Sequence, residues 1–256
     1  NRKGRTMKIA RTLSAIAAGL ILAATAQAKT MPAPSEPSAV KSYILLDRTG
    51  SMYPIWDEAI ASVNAFAESF GKDAPGETVD PDLRTSVTLA LFDHHGGMQF
   101  DVLRDKVAPD DWTKLTNDEA SPRGMTPLFD AIGRILTRAE ADNPEKAVIV
   151  IMTDGLENAS REVTREGARA AIDRAQARGW EVIFLGAEFA SFSDADAVGV
   201  SASRQMAIGH GRMQESMDSL AQKARSYGKG EAPIVFDEAD RAQAGEEDVK
   251  ARQGNR

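Results

Sequence analysis

Oxygen-bearing side chains gather in three short segments of the sequence: Asp47, Thr49 and Ser51 in Asp47-Arg48-Thr49-Gly50-Ser51, Thr126 in Gly124-Met125-Thr126-Pro127, and Asp154 in Thr153-Asp154-Gly155. Carboxylates joined by hydroxyls, without imidazole or thiolate, make a hard-oxygen set that suits Mg2+, Mn2+ or Ca2+ and suits zinc or copper poorly. With some waters, the set fills an octahedron and leaves a position for an outside ligand. Each fragment also has an ordinary reading. Thr126 before Pro127 has the form of a helix N-cap followed by proline at the first helical position, and Asp154-Gly155 and Thr49-Gly50-Ser51 have turn composition. Capping and turn chemistry do not require the fragments to meet, so the case depends on the elements that carry them.

Tyr43-Ile44-Leu45-Leu46 is an unbroken apolar run ending in Asp47, and Ala147 to Met152 is another that ends near Asp154. Runs of this kind are strands buried on both faces, as in a parallel sheet. Helical spacing follows each of them. Ile60, Val63, Phe66, Ala67 and Phe70 precede a stop at Gly71; Leu128, Ala131, Ile132, Ile135, Leu136 and Ala139 form a second face; Thr164 to Arg178 is closed by Gly179. Trp180 to Leu185 reads as a strand, with Trp180 in the core, and Met213, Met217, Leu220, Ala221 and Ala224 mark a last helix before Tyr227-Gly228. Ser86–Phe92 and Met98–Val107 read as a hairpin joined by Asp93 to Gly97. The alternation predicts an α/β fold: a doubly wound, mostly parallel open sheet with helices on both faces and an antiparallel edge hairpin. Such sheets collect functional groups at the carboxyl ends of their strands, which is where all these oxygens would fall.

In its order, Asp-x-Thr-x-Ser, then Thr, then Asp, the chain resembles the von Willebrand factor type A family, whose metal-ion-dependent adhesion site reads Asp-x-Ser-x-Ser, a distant Thr and a distant Asp. Asp47, Ser51, Thr126 and Asp154 match directly; Thr49 replaces the first serine, keeping the hydroxyl and adding a methyl. The resemblance extends over about residues 39 to 229. Leu46 to Met52, Leu91-Phe92-Asp93-His94, Met152 to Ser160 and Phe184-Leu185-Gly186-Ala187 are similar to a bacterial and phage subfamily of stand-alone members. What the resemblance implies is a doubly wound domain whose hydroxyls and carboxylates hold Mg2+, with an Asp or Glu of a protein partner completing the shell. That is binding, not catalysis, so the chain is expected not to be an enzyme.

The alternative is a phosphoesterase-like metal-dependent hydrolase using the same ion. It needs a positioned acid or base, and His94, His95 and His210 fall by sequence on the hairpin and near the last helix, away from the site. Asp93-His94-His95 is similar to a phosphoesterase triplet, but the further metal-binding aspartate motifs are missing and Gly96-Gly97 favours a turn. Haloacid dehalogenase-type phosphatases require an acid where Thr49 stands, and no nucleotide-binding glycine motif follows a strand. Glu157 and Ser160 either support the site from behind Asp154 or belong to a solvated loop.

The 256 residues, 42% hydrophobic and 27% charged, are enough for one core or at most two. Cysteine is absent, which excludes disulfides, thiolate metal sites and a cysteine nucleophile. Residues 1–28 read as upstream residues and a secretory signal peptide: Lys8 and Arg11 after Met7, an apolar stretch from Leu13 to Ala24, then Ala26-Gln27-Ala28. Cleavage is expected after Ala28, giving a secreted or periplasmic protein with no stable membrane span, since the apolar run falls short of the ~20 residues that cross a bilayer. The net charge is −7; without residues 1–28 it becomes −12, from 26 basic and 38 acidic residues, a surface that repels nucleic acid and anionic membrane. Residues 29–38, with Pro32, Pro34 and Pro37, form an extended linker, residues 39–229 the domain, and the charged, aperiodic residues 230–256 a tail expected to be disordered.

Overall fold

The computed structural model describes residues 39–73, 82–189 and 191–254; the expected signal segment and linker lie outside the described residues. The strands are β1 (Ala39–Asp47), β2 (Arg84–His94), β3 (Met98–Val107), β4 (Lys146–Thr153), β5 (Glu181–Ala187) and β6 (Gln205–Ile208). The α-helices are α1 (Trp56–Phe70), α2 (Leu128–Asp142), α3 (Arg165–Ala177), α4 (Ser193–Ala197), α5 (Met213–Lys229), α6 (Glu238–Ala244) and α7 (Glu246–Gly254). One sheet runs in the order β3-β2-β1-β4-β5-β6. Every neighbouring pair is parallel except β2 and β3, which form the expected antiparallel edge hairpin.

Alternation along β1 explains the layers. Ile44 and Leu46 face one side, packing with Val63, Phe66 and Phe70 of α1 and Met217 and Leu220 of α5. Tyr43 and Leu45 face the other, with Ile132, Ile135 and Leu136 of α2 and Ile172 of α3. Both faces of the central strands are therefore covered, which is why they read as continuous apolar runs. Trp180, read as core, is buried against the α2–α3 layer. Leu128 begins α2 and Asn143, in the left-handed region, ends it. Thr164 caps α3 by accepting the Gly167 N–H.

The disorder expected for residues 230–256 is corrected over 230–254. Ile234, Phe236 and Val249 are buried in this stretch, and α6 opens on a reciprocal Asp237–Asp240 capping box. Glu246, 1% exposed, accepts the Ala207 N–H of β6 at 3.0 Å and pairs with Arg241 and Lys250, each at 2.8 Å. The segment thus covers the edge of β6 with an acid satisfied on all sides. Charge here is structural, and an average over hydropathy does not see it.

Candidate metal centre

β1 and β4 are neighbours at the centre of the sheet, and chain connections depart from them in opposite directions, β2 on one side and β5 on the other. The carboxyl ends of such a pair border the crevice where strand order reverses. Asp47 ends β1 fully buried, and Asp154, half-buried, follows β4.

The candidate oxygens meet there. Asp47 accepts the Thr49 N–H at 2.7 Å and the Thr153 hydroxyl at 2.6 Å. Thr126 Oγ1 donates to Thr49 Oγ1 at 3.4 Å, the Thr49 and Ser51 hydroxyls are 3.1 Å apart, and Ser51 Oγ donates to Asp154 at 2.7 Å. Thr49 and Thr126 are buried while Ser51 opens to solvent, so the cluster has one accessible side.

The N-cap reading of Thr126 does not hold. Pro127 occupies the cap position of α2 with no side-chain cap bond. The free helix N–H groups of Phe129 and Asp130 go to Glu157 at 3.0 Å and to the Ser160 hydroxyl at 3.1 Å. Glu157 and Ser160 are thereby built into the loop after β4 rather than solvated. Asp130, 1% exposed, accepts the N–H groups of Arg161, Glu162 and Val163, fixing the far end of the same loop.

Arg48, between Asp47 and Thr49, is buried and reaches Asp93 at 2.7 Å and Asp101 at 2.5 Å, with Arg123 joining Asp93 at 3.3 Å. The sequence reading placed Asp93 and His94 in a turn; instead β2 continues through His94, and only residues 95–97 turn. The strand continues because the His94 backbone pairs both ways with Met125, at 2.9 and 3.2 Å. Gly124 permits that approach: its φ is +72°, and a Cβ there would lie 2.4 Å from the His94 carbonyl oxygen. Sequence reasoning missed Arg48, Asp93 and Arg123 as supports. The available signal was an arginine just past one apolar strand and an acid just past its expected neighbour.

Burial pushes the Asp47 carboxyl up to about 7, the negative charge of Asp154 adding to it and the hydroxyl of Thr153 opposing it. Burial also raises Asp154, against the hydrogen bond from Ser51. Among the described residues no basic group is named as a cause of either shift, and neither carboxylate is in an ion pair. Among the described residues no group of three or more His, Asp or Glu is placed to hold a metal ion. The donor set fits a hard divalent cation: all its atoms are oxygen, its two acids are short of positive charge, and its hydroxyls link them.

Ser51 and Asp154 also line an open cleft of about 720 Å³ with Pro54, Ile55, Phe189 and His210. The expectation that no histidine falls near the site is therefore corrected. Parallel strands send the loops at their carboxyl ends to one edge, so the loop after β6 arrives beside the loop after β1 despite its distance in sequence. His210 Nδ1 stands 3.0 Å from Glu58.

A doubly wound sheet with an oxygen-lined crevice between β1 and β4 defines the class of domain. Solved structures agree on the fold. The vWF domain of the type V pili tip protein Mfa5 from Porphyromonas gingivalis is 11% identical, with a TM-score of 0.52 over 79% of this chain and 98% of that one. Proximal thread matrix protein 1 from the mussel byssus is 15% identical, with a TM-score of 0.51 over 73% of this chain and 46% of that one. The pilus adhesin SpaC from Lactobacillus rhamnosus GG, in an open conformation, is 15% identical, with a TM-score of 0.51 over 76% of this chain and 30% of that one. The chain therefore has the fold of these structures, the vWF domain of Mfa5 among them. It spans less than half the length of the mussel protein. No family model and no curated protein matches the sequence.

Proposed function

We propose that this domain is a metal-ion-dependent protein-binding module in which Asp47, Thr49, Ser51, Thr126 and Asp154 hold a divalent cation, Mg2+ before Mn2+ or Ca2+. A partner protein presents an Asp or Glu carboxylate to it. The observation that carries this reading is the hydroxyl chain from Thr126 through Thr49 and Ser51 to Asp154, beside two carboxylates that have no cationic partner among the described residues. When bound, the cation supplies an electrophilic position for an outside carboxylate. The protein's own residues hold the oxygens still: the Thr49 N–H and the Thr153 hydroxyl fix Asp47, and Ser51 faces the solvent side where a partner arrives.

The net charge of −7 repels an acidic partner at long range, so recognition is local and nucleic acid is a poor ligand. Likeness in fold to a pili tip domain and a pilus adhesin supports an adhesion-type role outside the cytoplasm, in keeping with the signal segment expected in residues 1–28. No described helix is long and apolar enough to cross a membrane. Calorimetric titration with MgCl2 and MnCl2 tests the reading. Heat is expected at or below millimolar concentration and is lost in Asp154→Ala; no heat for any divalent cation would leave these residues as turns.

His210 favours a second reading, the metal-dependent hydrolase, because Glu58 orients an imidazole in the cleft that Ser51 and Asp154 line. Phosphatase, nuclease and peptidase substrates distinguish the two. Turnover that requires Mg2+ and is lost in both His210→Ala and Asp154→Ala would establish the hydrolase.

A further inference from the structure

Among the described residues the exposed large hydrophobic side chains are Tyr53, 78% exposed, Met125, 47%, Leu156, 43%, and Val235, 42%. The first three stand within two positions of Ser51, Thr126 and Asp154. They come from three loops, far apart in sequence, that the hydroxyl chain brings together. Single exposed hydrophobic residues are ordinary on any protein surface, whereas three carried by segments that meet at one oxygen cluster mark a contact surface. The fold does not need these side chains. Met52 and Ile55 are the buried members of the turn that carries Tyr53. Met125 pairs with His94 through its backbone, and Glu157 and Asn158, not Leu156, fasten the loop after β4. Pro54, Ile55 and Phe189 extend the apolar lining into the adjoining cleft.

We infer that this apolar rim selects the partner: an extended protein segment whose Asp or Glu is flanked by large apolar side chains. The carboxylate sits at the oxygen cluster, and its flanks rest on Tyr53, Met125 and Leu156. The inference rests on the metal-dependent reading proposed above and names what that site accepts. Charge complementarity limits the acid to the oxygen cluster, because the adjoining cleft already carries Glu188, paired with Arg252, and His210, paired with Glu58. Apolar flanks also exclude water from the central ionic contact, which an exposed pair lacks. An anionic lipid surface is the other chemistry that an ion with an apolar rim could meet. The chain's negative charge opposes it.

The test pans a phage-displayed random peptide library on the full chain in MgCl2 and elutes with EDTA. Eluted peptides are expected to carry an Asp or Glu with large apolar residues close on either side. The double variant Tyr53→Ser, Leu156→Ser should bind a selected peptide at least about tenfold more weakly. Its Mg2+-induced rise in Tm should equal that of the unaltered protein, showing that fold and ion site survive. Acidic peptides without apolar neighbours, or unchanged peptide affinity in the double variant, would overturn the inference. So would Mg2+-dependent sedimentation with phosphatidylserine vesicles that the double variant abolishes. If Mg2+ raises no Tm in the unaltered protein and EDTA releases no peptide, the underlying reading falls too, and that outcome is distinct from the others.

Discussion

Asn158 holds Thr126 from both ends of one peptide unit pair: its N–H donates to the Thr126 carbonyl at 3.0 Å, and its Oδ1 accepts the Thr126 N–H at 2.9 Å. The loop after β4 and the loop before α2 therefore move as one piece, keeping the Thr126 hydroxyl and the Asp154 carboxylate in register. Asn158→Ala removes one of these bonds without touching the oxygen cluster. It should cost about 1 kcal/mol in urea unfolding and weaken Mg2+ binding several-fold in calorimetry. Lower stability with unchanged affinity would show that Thr126 is not a ligand.

Divalent cations should stabilise the folded state by mass action. At a hundredfold excess over Kd the gain is about 2.7 kcal/mol, visible as a rise in Tm with MgCl2. Asp154→Ala should abolish the rise while the domain stays folded, because Asp154 is half-buried and Ser51 is its one side-chain hydrogen-bond partner among the described residues. Thr49→Ser should preserve it, since the hydroxyl remains. A rise that survives Asp154→Ala would place the ion elsewhere.

The raised Asp47 carboxyl gives the ion-free domain a pH dependence. Its unfolded value is near 3.9 and its folded value about 7, so the stability it contributes is full below the unfolded value and is lost as pH rises through about 7. Mg2+ requires the carboxylate, so affinity should climb as pH rises to about 7, with a proton released on binding below that value. Melting in EDTA across this range, beside Asp47→Asn, checks the sign. An identical pH profile in the variant would remove Asp47 as the source.

The central strands and their terminal acids were legible because a parallel strand buried on both faces is an unbroken apolar run, and the run's end marks the functional edge. The four-residue β6 was not: QMAI is too short to show a period, and Gln205 is held by bonds to Asp196 and Val200 that no pattern announces. His210 was misplaced for a related reason. Its position at the cluster's edge follows from where β6 joins the sheet, a long-range pairing that local sequence does not encode. The tail misled in the opposite direction, since Glu246 reads as solvent-seeking and is buried among partners. Thr126 offers two chemistries with one sequence signature, and the cap reading falls because Glu157 and Ser160 take the first free N–H groups of α2.

Arg48 yields the last prediction, because it sits inside the Asp-x-Thr-x-Ser loop yet faces away from the cluster. Its side chain is 6% exposed and its partner Asp93 is fully buried, whereas Arg123, the other cation on Asp93, is 41% exposed. Removing the buried partner leaves the buried acid with the solvent-screened Arg123 alone, a loss that approaches the ~3–5 kcal/mol of a broken buried pair. Removing the screened one costs about 1 kcal/mol or less. Arg48→Met should therefore lower stability far more than Arg123→Met in denaturant unfolding. Arg48→Met with Asp93→Leu should recover much of the loss, since no charge is then stranded. The bond from Arg48 to Asp101 is open to solvent on the acid's side and adds little to this difference. In the double variant the loop keeps its backbone bonds from Arg48 N to Phe92 and from Gly50 N to Gly124, so the Mg2+-induced rise in Tm should persist. If the double variant stays folded but loses that rise, the arginine is positioning Asp47 and Thr49 and not only neutralising Asp93.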